Sequence, residues 1–375
     1  MKKICYVVTI SATIRAFFVP QLKYLANNGF DVTVICSNDS SLQRELGQEV
    51  HYLPVDIPRG ISLTGSIRAV SRLIKIFRKE KFDLIQYSTP NAALCSSIAA
   101  KIVGAKVRNY HLMGYRYLGV TGVNRSILKM LEKVTCTLST NIECVSKSNL
   151  RLGIQEKLFS QDKAIVVWNG STGGVDLERF DSSHREEWRR ELRKELGYAE
   201  EDFIFGFVGR ITKDKGINEL LKAFLEERGE SKLFLIGNIE KEESLDRDLL
   251  QQARKSLNVM FHASVADIQR YYAMIDVLVL PSYREGFGNV VIEAAAVGTP
   301  AIVSNIPGPI DAIEEGKTGI TFEHHDAEAL QMAMSIIKRD ISEYSKENCV
   351  DFIKTRFDDK ILRKKILKQK ERYFK

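Results

Sequence analysis

Pro281-Ser282-Tyr283-Arg284-Glu285-Gly286-Phe287-Gly288-Asn289-Val290-Val291-Ile292-Glu293-Ala294-Ala295-Ala296-Val297-Gly298-Thr299-Pro300 reads as a strand end, a glycine-flanked loop and a helix. The apolar run 277–281 supplies the strand, residues 289–296 begin the helix, and residues 301–304 read as the next strand. Strand, tight loop, helix and strand in succession make a β-α-β unit of a parallel sheet. The first-turn N–H groups of such a helix lack intrahelical partners and carry partial positive charge. Gly286 and Gly288 let a ligand come close to the backbone, which suits a diphosphate or sugar hydroxyls. Glu285 in the loop and Glu293 one turn inside the helix are acceptors for neighbouring diol hydroxyls. The competing reading makes Glu285 a solvated loop residue and Glu293 a cap or internal pair.

The pattern repeats on both sides of this segment. Towards the N-terminus, residues 203–208, 217–226 and 232–236 read as strand, helix and strand, and residues 327–338 as a later helix. The first half alternates in the same way. Strands are expected at 4–10, 31–36, 83–87, 106–110 and 142–145. Helices are expected at 16–27, 63–79 and 92–103, with Ile67, Val70, Ile74 and Phe77 on one face of the second. Between the halves, Asn169-Gly170-Ser171-Thr172-Gly173-Gly174 has a linker composition, and a charged helix follows at 183–196. At 375 residues two domains are natural. The boundaries drawn are an N-terminal domain at 1–168, a linker and start of the second lobe at 169–200, and a ligand-binding domain at 201–355. A last helix at 356–375 is expected to pack back on the first lobe. The fold class is α/β, two doubly wound Rossmann-like domains facing across a cleft, with ligand at the carboxyl ends of the strands.

Composition excludes some classes. Apolar residues at 44% and charged residues at 27% are globular values. No run reaches the roughly 18–20 apolar residues that span a bilayer. Met1-Lys2-Lys3 and the apolar residues after it imitate a signal peptide, but the run is short and no small-residue cleavage site follows, so it reads as a first strand. Cys5, Cys36 and Cys144 sit in strand-like runs and no two cysteines have metal-ligand spacing, so buried free thiols in a reducing cytosol are expected. The net charge of +7 is uneven: residues 1–180 hold 24 Lys+Arg against 13 Asp+Glu, a net +11, which leaves −4 for the rest. A basic first half suggests an anionic partner, whether nucleic acid, an anionic membrane surface or a phosphorylated acceptor; a generic basic bias with no partner is the alternative. No nucleic-acid module accompanies the charge, so nucleic acid is not expected. The basic face of helix 63–79 (Arg68, Arg72, Lys75, Arg78, Lys79, with Lys81 beyond it) and the segment 112–131, with Met113, Tyr115, Tyr117 and Leu118 near Arg116, Arg125 and Lys129, are candidate surfaces for an anionic membrane.

A second segment carries chemistry. In Gly206-Phe207-Val208-Gly209-Arg210-Ile211-Thr212-Lys213-Asp214-Lys215-Gly216-Ile217 a strand again ends in a loop before a helix. Arg210 and Lys215 bring two cations to that loop, suited to a diphosphate whose charge grows as it departs. An ordinary solvated turn is the alternative. The two segments together resemble glycosyltransferase family four, a retaining family with the two-lobed GT-B fold. Its second lobe typically reads Gly-Arg followed by Lys-Gly, then Pro-Ser followed by Glu-Gly-Phe-Gly, with another Glu eight residues after the first. The chain matches at Gly209, Arg210, Lys215, Gly216, Pro281, Ser282, Glu285, Gly286, Phe287, Gly288 and Glu293, and continues through Gly298-Thr299-Pro300 and Glu315-Gly316-Lys317-Thr318-Gly319.

The resemblance implies that Arg210 and Lys215 hold the donor diphosphate, Glu285 the donor sugar and Glu293 the ribose. Gly209, Gly286, Phe287, Gly288 and Asn289 complete the donor site, and His111, at the end of strand 106–110, falls where the family often carries a histidine near the sugar. Catalysis is thus expected to rest on His111, Arg210, Lys215 and Glu285. The first lobe departs from the family: Ser171 to Gly174 are inserted at the lobe junction, and Ser11-Ala12-Thr13 replaces the usual glycines after the first strand. The reaction expected is transfer of a hexose-type sugar from a nucleoside-diphosphate donor, UDP-linked, with retained configuration. The acceptor expected is a surface glycan, such as a polyprenyl-diphosphate-linked saccharide in capsule or lipopolysaccharide synthesis, at the cytoplasmic face of the cell membrane. No cofactor and no metal are expected, because Arg210, Lys215 and the helix N-terminus supply the positive charge. Asp246-Arg247-Asp248 imitates a metal motif but falls in a charged helical stretch at 240–254, and His324-His325-Asp326 reads as a loop. A hydrolase pairing of Glu285 with Glu293 is disfavoured, because eight helical residues rise about 12 Å and opposed carboxylates need roughly 5 to 9.5 Å. A sugar-nucleotide epimerase and a non-catalytic sugar-nucleotide or membrane-surface binding protein are the competing functions.

Overall fold

The computed structural model describes residues 1–60, 62–227 and 229–375. The chain divides into two units, Met1–Gly173 with Lys360–Lys375, and Gly174–Asp359. The first unit is built on seven parallel strands: β1 Lys2–Val7, β2 Phe30–Cys36, β3 Val50–Pro54, β4 Leu84–Tyr87, β5 Val107–Leu112, β6 Asn141–Cys144 and β7 Ala164–Ile165. Their order in the sheet is β3-β2-β1-β4-β5-β6-β7. The second is built on β8 Ile204–Val208, β9 Lys232–Ile236, β10 Val259–His262, β11 Val277–Leu280, β12 Ala301–Ser304 and β13 Gly319–Phe322. Their order is β10-β9-β8-β11-β12-β13, again all parallel. The expected doubly wound α/β architecture is present twice. The strands read as continuous apolar runs because helices cover both faces of each sheet. Residues of both strand faces are accordingly buried, as in Val277, Leu278, Val279 and Leu280, each at most 1% exposed.

In a doubly wound sheet the strand order reverses at one point, and the loops leaving the two strands there diverge and leave room for ligand. That point lies between β1 and β4 in the first unit and between β8 and β11 in the second. The Gly209-Arg210 segment leaves β8 and the Pro281–Glu285 segment leaves β11, so both sequence motifs sit at the reversal of the second sheet.

Several expectations change in detail. The helix expected at 16–27 is two helices, Ser11–Phe17 and Val19–Asn27, with Pro20 in the first turn of the second. The break falls at Phe18, fully buried and edge-on to Tyr6 and His111. Ser11-Ala12-Thr13 is thus the first turn of a helix rather than a loop, and the Ser11 hydroxyl donates to Asp39 at 2.7 Å. Ile67 does not share the inward face of helix Leu63–Glu80: Ala69, Leu73 and Phe77 are buried while Ile67 is 61% exposed. Tyr115 and Tyr117, read as surface candidates, are core residues, 2% and 0% exposed. Ser171 and Thr172 are buried too, and the Ser171 N–H donates to the Val145 carbonyl at 2.7 Å, so the inserted stretch packs where a solvated linker was expected. The stretch at 240–254 is a short 3-10 turn, Glu242–Ser244, and a helix, Arg247–Lys255, with Asp246 as its N-cap. That capping role accounts for the first aspartate of Asp246-Arg247-Asp248. All six cysteines are buried free thiols.

Unit membership sharpens the charge asymmetry, because the C-terminal helix Asp359–Arg372 returns basic residues to the first unit. The first unit holds 31 Lys+Arg against 12 Asp+Glu, a net +19; the second holds 24 against 36, a net −12.

Candidate active site

In the second unit two loops from neighbouring strands are locked together. Gly216 adopts φ +71°, and a Cβ there would lie 2.0 Å from the Pro281 carbonyl oxygen. Only glycine permits both the conformation and the approach. The Tyr283 N–H donates to the Asp214 carbonyl at 3.0 Å, Arg284 pairs with the Asp214 carboxylate at 3.0 Å, and Thr212 donates to its other oxygen at 2.7 Å. Asp214, which the competing reading makes part of an ordinary solvated turn, is the brace between the two motifs. Burial would raise its pKa, but Thr212 and the cations Arg284, Arg210 and Lys215 hold it below the ordinary value. Gly209 is crowded in the same way: a Cβ on Gly237 would lie 1.8 Å from its carbonyl oxygen.

This bracing joins the chemical groups. Lys215 Nζ lies 2.5 Å from Glu285 Oε1, with the side chains 19% and 17% exposed. The Ser282 hydroxyl donates to the same carboxylate oxygen at 2.8 Å. Arg210 stands further out, half exposed, and pairs with Glu240 at 3.1 Å. Gly288, at φ +96°, precedes helix Asn289–Ala296, so the helix starts at the mouth of this loop. Phe287 is 3% exposed and its ring meets Phe357 at 5.3 Å, so its side chain serves the core, leaving only its backbone for ligand. Glu293 lies within the helix, where it accepts from the Tyr272 hydroxyl at 3.0 Å. Burial pushes its carboxyl up to about 7; the Tyr272 hydrogen bond and the Arg179 charge offset part of that rise.

His111 belongs to the first unit. It stands on β5, is 8% exposed, and neither ring nitrogen has a hydrogen-bond partner. Its Nδ1 lies 3.9 Å from Glu143 Oε2, beyond hydrogen-bond range. Burial lowers its pKa, opposed by Glu143 and reinforced by Lys370.

The structure therefore brings Lys215 and Glu285 together, sets Arg210 and the start of helix Asn289–Ala296 in the same unit, and leaves Glu293 half-buried. Sequence reasoning missed Ser282 as a partner of Glu285, Tyr272 as a partner of Glu293, and the Asp214 brace. Ser282 was findable, since it lies inside the quoted motif three residues before Glu285; Tyr272 reaches Glu293 only through the fold.

Residues 3–146 match the family model described as Glycosyl transferase 4-like, and residues 189–354 match Glycosyl transferases group 1. The chain belongs to glycosyltransferase family four. This glycosyltransferase is 33% identical over 334 residues to the capsular polysaccharide biosynthesis glycosyltransferase CapM of Staphylococcus aureus, covering 88% of this chain and 86% of that protein. It is 25% identical to the UDP-Gal:alpha-D-GlcNAc-diphosphoundecaprenol alpha-1,3-galactosyltransferase of Escherichia coli over the same shares of the two chains. Among solved structures it resembles sucrose-phosphate synthase from Thermosynechococcus elongatus, with a TM-score of 0.81 at 18% identity, over 100% of this chain and 99% of that one. It also resembles HepE of Anabaena in complex with UDP-glucose, with a TM-score of 0.78 at 18% identity, over 99% and 100%. These likenesses establish the glycosyltransferase's fold as GT-B.

Proposed function

We propose that this glycosyltransferase moves a hexose-type sugar from a UDP-linked donor to a polyprenyl-diphosphate-linked saccharide during surface-polysaccharide synthesis, with the anomeric configuration retained. The observation that carries the reading is the Lys215–Glu285 pair, braced through Asp214 and Gly216 at the strand-order reversal of the second sheet. A cation and a carboxylate side by side fit the two ends of a diphosphate–sugar bond. Lys215, with Arg210, offsets the charge that grows on the departing diphosphate. Glu285, oriented by Ser282, accepts hydrogen bonds from sugar hydroxyls. Glu293 holds the ribose diol, and His111 takes the role at the donor sugar that the family resemblance gives it. The acceptor hydroxyl attacks the anomeric carbon from the side of the leaving diphosphate; the new glycosidic bond forms as the carbon–oxygen bond to the diphosphate breaks, and that diphosphate takes the proton. The positive charges of Arg210 and Lys215 serve without a metal. The names of the relatives support the donor and acceptor classes, since one acts with UDP-galactose on a diphosphoundecaprenol-linked sugar.

An anionic bilayer, the natural location of such an acceptor, suits the first unit. No helix among the described residues is long and apolar enough to cross a membrane. Val123, Ile127, Met130 and Val134 are exposed at helical spacing on helix Gly122–Leu138, which also bears Arg125, Lys129 and Lys133. Leu63 and Ile67 are exposed on helix Leu63–Glu80, and Ile102 on helix Pro90–Ile102, which packs against both of the others. Apolar side chains among lysines and arginines on a unit of net +19 suit the inner leaflet of a cell membrane. Ile127→Asp with Met130→Asp should abolish sedimentation with anionic vesicles and leave transfer to a short water-soluble acceptor intact; unaltered sedimentation would remove this face from the reading.

The deciding experiment is mass spectrometry of products from a panel of nucleotide-sugars with polyprenyl-diphosphate saccharides. The expected result is one hexose added from a UDP-sugar, lost in Lys215→Ala. Conversion of the donor without acceptor would favour an epimerase, and saturable donor binding with no product across the panel would favour a binding protein.

A further inference from the structure

The C-terminal helix drives a lysine into the interior of the first unit. Lys370 is 0% exposed, and its Nζ donates to Glu143 Oε1 and Oε2 at 2.8 and 2.7 Å and to Gln86 Oε1 at 2.6 Å. Tyr373, on the next turn of chain, donates to Glu143 Oε1 at 2.8 Å. Asn109 Nδ2 donates to Gln86 Oε1 at 2.9 Å, which closes the network. Gln86, Asn109, His111 and Glu143 lie on three adjacent strands, in register as Gln86 with Asn109 and His111 with Glu143. Residues 109 and 111 project to one face of β5, while Tyr110 and Leu112 belong to the apolar cluster on the other.

A buried ion pair is a poor way to stabilise a fold, since apolar residues of similar volume do as well or better. Something else must account for a lysine placed here. Among the described residues of the network, the His111 ring has no hydrogen bond at either nitrogen, and Gln86 Nε2 has none either; of these groups the imidazole is the titratable one, and its Nδ1 faces Glu143. We propose that Lys370 is a positioning residue for His111: it fixes the Glu143 carboxylate that the imidazole faces and offsets that carboxylate's charge. The catalytic consequence rests on the role of His111 at the donor sugar, as proposed above.

The surroundings of His111 make the sign definite. Glu143 comes from β6 and Lys370 from the C-terminal helix; these are the charged groups facing it. Tyr373 from the same helix and Tyr6 from β1 have phenols pushed up by burial and stay neutral, and Phe18 presents a ring edge. Burial alone would raise the Glu143 carboxyl, but Lys370 and His111 hold it well below the usual carboxylate range. Lys370 itself is lowered by burial and supported by Glu143. Removing the Lys370 charge leaves His111 as the one cation facing Glu143, so a proton on the imidazole is favoured more than in the parent and the titration is expected to rise. Removing both charges takes away the larger upward influence of Glu143 together with the smaller downward one of Lys370, so the pKa must fall below that of the parent.

The test is imidazole NMR titration of His111 in the full chain, with the signal assigned by its loss in His111→Gln. Lys370→Met should move the titration up by about one pH unit or more, and Lys370→Arg should move it back towards the parent. The acid limb of kcat should follow the imidazole. Lys370→Met with Glu143→Gln, which removes the charge imbalance along with the pair, should titrate below the parent and decides the matter if the single variant folds poorly. The same His111 titration in parent, Lys370→Met and the double variant would overturn the proposal. A titration that moves while the kcat profile stays fixed would uphold the coupling and refute the role given to His111.

Discussion

Each unit contains a lysine–glutamate pair, and the two pairs do opposite work. Lys215 and Glu285 are 70 residues apart, sit in loops, and keep 19% and 17% of their side chains exposed. Lys370 and Glu143 are 227 residues apart, sit under a helix, and keep 0% and 4%. The first pair can open towards a ligand at small cost, because water and a substrate's own charges can replace either partner. The second cannot open without leaving a bare charge in the core. Burial, rather than chemical identity, separates a pair that is free to engage a ligand from one that holds a frame.

Breaking the comparison at its deep end should have the largest effect. Lys370→Ala is expected to cost about 3–5 kcal/mol of stability, the usual penalty for orphaning one partner of a buried pair, read as a drop in urea midpoint. At the shallow end, Lys215→Ala should cut kcat by roughly 100-fold or more while the urea midpoint barely moves. A large stability loss in Lys215→Ala would erase the distinction. Between these lies the brace. Gly216→Ala forces a side chain onto the Pro281 carbonyl in a left-handed backbone, a strain of about 1–3 kcal/mol, and should lower kcat and thermal stability together. The smallest effect is a pH dependence. Glu293 has its folded pKa raised to about 7, so it is protonated below that value and becomes a full acceptor above it. Donor affinity should therefore improve as pH rises through about 7. Because the folded-state pKa exceeds the unfolded one, the same group takes stability away as pH climbs from its ordinary value of 4.5 towards 7. Tyr272→Phe removes the hydrogen bond that favours the ionised form, so the rise in affinity should shift to higher pH; isothermal titration with donor across pH 6–8 checks both.

The same contrast explains what the sequence discloses. The second unit is legible because its chemistry lies in runs of contiguous residues: Gly209 to Gly216 and Pro281 to Glu293 each bring the proposed donor-binding groups within one loop and one helix start. Parallel strands are legible for a similar reason, since β8, β9 and β11 are unbroken apolar runs bounded by glycine or proline. The four edge strands β3, β7, β10 and β13 escape notice, because they are very short or of mixed composition, such as Val50-His51-Tyr52-Leu53-Pro54. The network around His111 is not legible at all. Gln86, Asn109, Glu143 and Lys370 are scattered polar residues in strands and a basic helix, and only the return of the last helix assembles them. Tyr115 and Tyr117 mislead in the opposite direction: flanked by Arg116 they look superficial, yet each buries its ring and spends its hydroxyl inside, Tyr115 on the Asn149 carbonyl and Tyr117 on Glu156.

The return of the C-terminal helix bears on how the chain is made. Synthesis delivers Glu143 long before Lys370, and at 5–20 residues per second the intervening 227 residues take roughly 10–45 s. Throughout that interval the whole second unit emerges and is free to fold, whereas the first waits for its last element with an acidic group and a gap where the helix will lie. The first unit to be translated is thus the last to be finished. A released chain truncated after Asp359 should already protect β8–β13 from protease and leave β4–β6 open to cleavage.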